Sequence, residues 1–101
     1  MSNAARLAAA GLELPPVPAP AAAYVPALRH GDLVIVSGQL PLRDGALLAT
    51  GLVGTDVAQD EAAELARVCA LNALAAAASV AGGLDAIASV LRVGVFVATN
   101  S

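Results

Sequence analysis

The sequence predicts a small domain that mixes sheet and helix, and three stretches carry the prediction. Residues 22–38 hold two runs suited to strands on either side of His30-Gly31, an alanine-rich run from Asp56 to Gly82-Gly83 suits one long helix, and Val90 to Val97 alternates as a strand does. With 101 residues, one domain is all that fits.

Residues 4–12 have the helix propensity for a turn or two, with Gly11 placed to end them. In "LPPVPAPAAA", four prolines within six residues exclude regular helix and predict an extended surface arm, so residues 1–21 read as a lead-in to a domain over 22–101. Ala22 to Arg29 and Asp32 to Gly38 then form a hairpin, and Pro26 assigns the first strand to a sheet edge. The second strand is apolar on both faces, Leu33 and Ile35 on one and Val34 and Val36 on the other, which calls for cover on both. It ends in Ser37-Gly38-Gln39, small and polar residues of the kind found where backbone meets a loop or a ligand.

Asp44-Gly45 signals a second turn, and "LATGLVGT" reads as irregular. Asp56 followed three residues later by Gln59 resembles a capping box, with Asp60, Glu61 and Glu64 favoured by the helix dipole. Leu65, Val68, Cys69, Asn72, Ala75, Ala76 and Ser79 share one helical stripe. In the last stretch Leu91, Val93, Val95 and Val97 occupy one face and Val90, Arg92, Gly94 and Phe96 the other. Strand, helix and strand in this order predict a right-handed crossover with its two strands parallel in one sheet. No element follows to close that sheet, so the chain reads as incomplete at its C-terminus.

Hydrophobic residues make up 58% of the chain against 13% charged, more apolar surface than a domain of this size hides alone, which favours an oligomer. The net charge of −3 and five scattered arginines exclude a basic stripe for a phosphate backbone, so nucleic acid is not an expected partner. Cys69 stands alone and fits a reducing compartment. Residues 68–84 are uncharged but rich in alanine and interrupted by Asn72, Ser79 and Gly82-Gly83, short of a membrane span; no signal-peptide pattern precedes them. A cytoplasmic protein without a membrane partner is expected.

"YVPALRHGDLVIVSGQLPL" resembles the signature of the RidA (YjgF) family of reactive-intermediate deaminases, through Tyr24, Gly31 and the string Ser37-Gly38-Gln39-x-Pro41. The likeness continues through Ala66, Arg67 and Asn72 to Val95–Val97, and "GLELPP" and "CALNAL" resemble a subgroup of undefined role. The resemblance implies an α+β, chorismate-mutase-like fold, a β-sheet with helices packed on one face, assembled as a homotrimer with ligand clefts between subunits. It also implies hydrolysis of enamines or imines such as 2-aminoacrylate to 2-keto acids and ammonia, with no metal or organic cofactor. By the same likeness Ser37 is the catalytic candidate, touching substrate or the attacking water, while Tyr24 lines the cleft and the Gly38 N–H holds a carboxylate. Those residue types suit the chemistry, since an imine carbon needs a positioned water and the substrate carboxylate needs fixed donors.

The family's carboxylate-binding Arg and water-orienting Glu belong to a C-terminal third that this sequence lacks, and Arg29, Arg43 and Arg92 are not substitutes by position. The usual Pro before the Tyr is Ala23 here. Gln39 and Asn72 read as backbone-bonding residues, His30 as a turn residue and Cys69 as a small core residue. Glu61 and Glu64 read as a solvated face, and "GLVG" lacks the lysine of a phosphate loop. A deaminase with a small carboxylate-bearing substrate is the leading expectation. A non-catalytic binding or regulatory trimer is its rival, and RNA cleavage a third reading that the acidic charge opposes.

Overall fold

A computed structural model describes residues 1–17 and 25–100. Strands β1 (Ala27–His30) and β2 (Leu33–Val36) pair antiparallel, Ala27 opposite Val36 and His30 opposite Leu33. The expected hairpin forms over a shorter span than Ala22–Arg29 and Asp32–Gly38, with residues 22–24 outside the described residues, and its loop is Gly31-Asp32 instead of His30-Gly31. The two-residue connection needs a positive φ at its first position, which Gly31 supplies at +60° while His30 completes the ladder. A second, tiny hairpin follows, β3 (Leu42–Arg43) and β4 (Ala46–Leu47), turning on Asp44 and Gly45 with φ of 54° and 80°. Two successive positive φ values are what a two-residue Asp-Gly hairpin loop requires.

Helix α2 runs from Gln59 to Ala81, and Gly82 ends it in the left-handed conformation at φ 95°, where a side chain would be strained. The predicted capping box does not form. Ala58 occupies the N-cap without a side-chain bond, because the Asp56 carboxylate instead accepts from the Leu52 N–H at 2.8 Å. Asp56 thereby ties up a compact turn over residues 51–57, in which its own N–H and that of Val57 return to the Leu52 carbonyl.

On α2, Val68, Asn72, Ala75 and Ala76 are buried, the centre of the predicted stripe, while Leu65 and Cys69 flank it half-buried. With Ala27 from β1 and Val57 they form the core, and alanine at the contact lets helix and hairpin approach closely. Arg29 adds a long bond, 3.5 Å, from β1 to the Ala81 carbonyl at the helix end. By length and composition alone α2 is apolar enough to cross a membrane; its buried stripe packs on the hairpins.

Helix α1 (Asn3–Ala9) is latched to a 3₁₀ turn at Leu84–Ala86. The Asn3 amide donates to the carbonyls of Leu84 (3.0 Å) and Ile87 (2.8 Å), and Asp85 accepts from the Ala4 N–H at 2.9 Å. Ser2 accepts from Ala5 at the same helix start.

Val90–Val97 departs from expectation. It joins no ladder among the described residues, so the predicted parallel crossover is absent and two separate two-stranded sheets stand where one sheet was expected. A strand is defined by its partner, and the alternating side chains here have none to pack against: Leu91 is 78% and Phe96 fully exposed. On the outer face of the first hairpin Leu28, Leu33 and Ile35 are exposed, so among the described residues only one of the two covers predicted for β2 is present. The architecture is α+β, with small sheets and helices.

Candidate functional site

The corner after β2 is built by one carbonyl. Pro26, just before β1, accepts from both the Ser37 N–H and the Ser37 hydroxyl, each at 2.9 Å, so the chain leaving β2 is tied to the chain entering β1. Because the hydroxyl hydrogen points at Pro26, the remaining lone pairs of half-buried Ser37 Oγ are what a ligand would meet. Ser37 can therefore accept a hydrogen bond from an incoming N–H or water while its own proton is engaged.

Gln39 bonds backbone, as its sequence position suggests: Nε2 donates to the Ser37 carbonyl at 3.1 Å. Asn72, 2% exposed on α2, donates its amide to the carbonyls of Leu40 (3.3 Å) and Leu42 (3.0 Å). That contact pins the far end of the corner to the core helix, and Pro41 closes it by accepting from the Leu48 N–H at 3.1 Å.

Gly38 sits exposed between these anchors, and no hydrogen bond engages its N–H among the described residues. A Cβ built there meets nothing within 4 Å, and its φ is not positive, so neither space nor backbone conformation within the described residues demands a glycine. An N–H without a partner among the described residues, next to a hydroxyl oxygen oriented by Pro26, is an arrangement that can hold a ligand bearing both an acceptor and a donor.

Tyr24 lies outside the described residues, so its place relative to Ser37 and Gly38 is not drawn. Arg29 is engaged with the carbonyls of Gly31 and Ala81. Among the described residues no three His, Cys, Asp or Glu side chains gather as a metal site would need. Burial raises the Cys69 thiol above its ordinary value, against a smaller lowering by a backbone hydrogen bond, so the thiol stays protonated near neutral pH.

Away from this corner an open groove of 340 Å³ lies between α1, α2 and residues 87–90, lined mainly by apolar side chains with Arg6 and Asn3 among them. It shares no residue with the Ser37–Pro41 corner. The sequence carried no direct signal for it, since it exists only because Asn3 and Asp85, far apart in the chain, latch α1 in place.

A sequence profile described as "YjgF/chorismate mutase-like, putative endoribonuclease" matches residues 4–101. The chain is 37% identical over 94 residues to Protein TCP17 of Trypanosoma cruzi, covering 93% of this chain and 59% of that protein. Among solved structures, a "putative endoribonuclease" of Shewanella oneidensis superposes with a TM-score of 0.75 at 38% identity, covering 83% of this chain and 56% of the other. A protein of unknown function from Agrobacterium tumefaciens gives a TM-score of 0.63 at 40% identity, covering 78% and 46%. This chain thus spans only about half to three-fifths of the length of these relatives.

Proposed function

This chain belongs to the YjgF/chorismate-mutase-like family, and on that footing we propose that its Ser37–Gly38 corner is one wall of a site that hydrolyses small imines or enamines, such as 2-aminoacrylate, to 2-keto acids and ammonia. The observation that carries the reading is the half-buried Ser37 hydroxyl, oriented by its bond to Pro26, beside an exposed Gly38 whose N–H has no partner among the described residues.

The two groups suit the two ends of such a substrate. The Gly38 N–H donates to a carboxylate oxygen, while Ser37 Oγ accepts from the imine N–H or from the water that adds to the imine carbon. Addition of that water gives a carbinolamine; its collapse to the carbonyl releases the amine as ammonia. Ser37 acts by holding the water or the nitrogen in place, because its own hydrogen is spent on Pro26. Tyr24 is assigned to the cleft by the family likeness. The bare apolar face of Leu28, Leu33 and Ile35 supports a site completed by neighbouring subunits, as in a homotrimer. In this reading the partners are other copies of the chain and a small carboxylate-bearing metabolite, α2 packs on sheet and does not enter membrane, and the protein is cytoplasmic.

The test is ammonia release from freshly generated 2-aminoacrylate. The reading expects a rate above the spontaneous one, reduced in Ser37→Ala; a rate equal to background would overturn it for this substrate. A second reading, RNA cleavage, rests on the descriptions attached to the family and to the Shewanella relative. The net charge of −3 weighs against it. Incubation with a mixed-sequence single-stranded RNA separates the two, since the deaminase reading expects that RNA to stay intact.

A further inference from the structure

We propose that the groove between α1, α2 and residues 87–90 binds a monocarboxylate with an apolar tail, its carboxylate on Arg6 and its tail against Leu7, Leu74 and Ile87.

The groove is held in shape by side chains far apart in sequence. Asn3 spends both hydrogens of its amide on the carbonyls of Leu84 and Ile87, and Asp85 takes the Ala4 N–H, so α1 is fixed against the 3₁₀ turn. The same bonds leave the groove positive. Asp85 is engaged at Ala4 and does not line it; among the described residues that do, Arg6 alone is charged. The Arg6 guanidinium makes no ion pair or hydrogen bond among the described residues, whereas Arg29 is bound to carbonyls and Arg67 lies 3.5 Å from Glu64.

One guanidinium without a carboxylate partner suits one carboxylate, which its planar fork can hold through two parallel N–H···O bonds. A phosphate ester carries more charge and would call for a further cation, which the groove lacks among the described residues. Ser89 lines the same groove, and its hydroxyl has no partner among the described residues, so it is a second donor for the carboxylate.

The tail is argued from the rest of the lining. Leu7, Leu74, Leu84 and Ile87 are each half-buried and still show apolar surface. At 340 Å³ the groove lies at the small end of ligand clefts, with room for an alkyl chain of medium length. A short acid such as 2-oxobutanoate would leave most of that surface uncovered, so the ligand differs from the one assigned to the Ser37–Gly38 corner. Burial of the tail supplies most of the affinity, while Arg6, being exposed, contributes mainly the choice of an acid over a neutral molecule.

The probes are octanoate and octanamide, which share a tail but not a charge, each titrated into the isotopically labelled chain and followed at every backbone amide. The proposal expects saturable octanoate shifts at residues 6–10 and 84–90, with octanamide weaker by about fivefold or more. Arg6→Gln should bring octanoate down to the affinity of octanamide without changing far-UV circular dichroism. Asn3→Ala, which frees α1, should weaken both probes alike. The comparison of the two probes on the unaltered chain needs no variant, so it decides the matter even if Arg6→Gln disturbs α1. Equal affinity for the two probes, octanoate affinity unchanged in a folded Arg6→Gln chain, or shifts that fail to saturate would each overturn the proposal. So would octanoate shifts that fall on the exposed hairpin face of Leu28, Leu33 and Ile35 or on residues 37–40 instead of the groove. None of these readouts depends on deaminase activity.

Discussion

Gly38 and Asn72 sit at the two ends of the Ser37–Pro41 corner, and substitutions there separate binding from folding. Since a Cβ at Gly38 meets nothing within 4 Å, Gly38→Ala should leave urea stability within about 0.5 kcal/mol of the original. It should still weaken 2-keto acid binding by about tenfold or more, because the methyl occupies the ligand's approach. Asn72→Leu has the opposite profile: it strips the Leu40 and Leu42 carbonyls of their donor where the corner meets the core helix, and denaturant titration should register a loss of about 1–3 kcal/mol. The roles of Gln39 and Asn72 were readable from sequence, because a polar side chain inside an apolar pattern must find a partner. The catalytic role expected for Ser37 came from family likeness, whereas its bond to Pro26 required coordinates, since it depends on how the chain enters β1 and leaves β2. Cys69 supplies a pH prediction. Its folded pKa lies above the ordinary thiol value, so native protein keeps the proton while unfolded chain begins to lose it. Stability from this group is intact below the unfolded pKa and is lost as pH rises through the folded one. Iodoacetamide labelling at pH 8 should accordingly be slower for native than for urea-unfolded chain.

The turn over residues 51–57 and the end of α2 depend on single residues. A side chain at Gly51, φ +118°, would meet the Asp56 side chain at 2.5–2.8 Å, and Asp56 is what holds the turn. Gly51→Ala should therefore lower stability by about 1–3 kcal/mol, and Asp56→Ala by about 1 kcal/mol. Thermal melts of the two variants check the order, which would reverse if Asp56 acted as a helix cap. The misreading of Asp56 has a physical source: Asp-x-x-Gln before an apolar run satisfies a capping pattern, but a carboxylate near several free N–H groups serves the nearest in space. The long helix was legible because periodicity and terminating glycines are local properties. The β3–β4 hairpin was legible only as its Asp44-Gly45 turn, since two-residue strands leave too little alternation to see. The alternating stretch Val90–Val97 was expected as a strand and pairs with nothing among the described residues, because pairing depends on a partner that local sequence does not specify.

At the scale of the whole molecule, the core that the described residues form, Ala27, Val57, Val68, Ala75 and Ala76 with Asn72, is built mostly of small side chains. The apolar residues that would enlarge it lie outside on the first hairpin and on residues 88–97. Composition anticipated this surplus; where it would lie followed only from the fold. If the hairpin face is a subunit contact, Ile35→Glu should shift sedimentation toward monomer while leaving far-UV circular dichroism unchanged. The central claim concerns the corner itself: a small carboxylate ligand is held by the Gly38 N–H beside Ser37. The most direct measurement is a titration of isotopically labelled protein with 2-oxobutanoate, followed at every backbone amide. The account predicts saturable shifts largest at Gly38 and its neighbours in residues 37–40, weakened in Gly38→Ala. Saturable shifts confined to the groove between α1 and residues 87–90, or no saturable shift at Gly38, would contradict it.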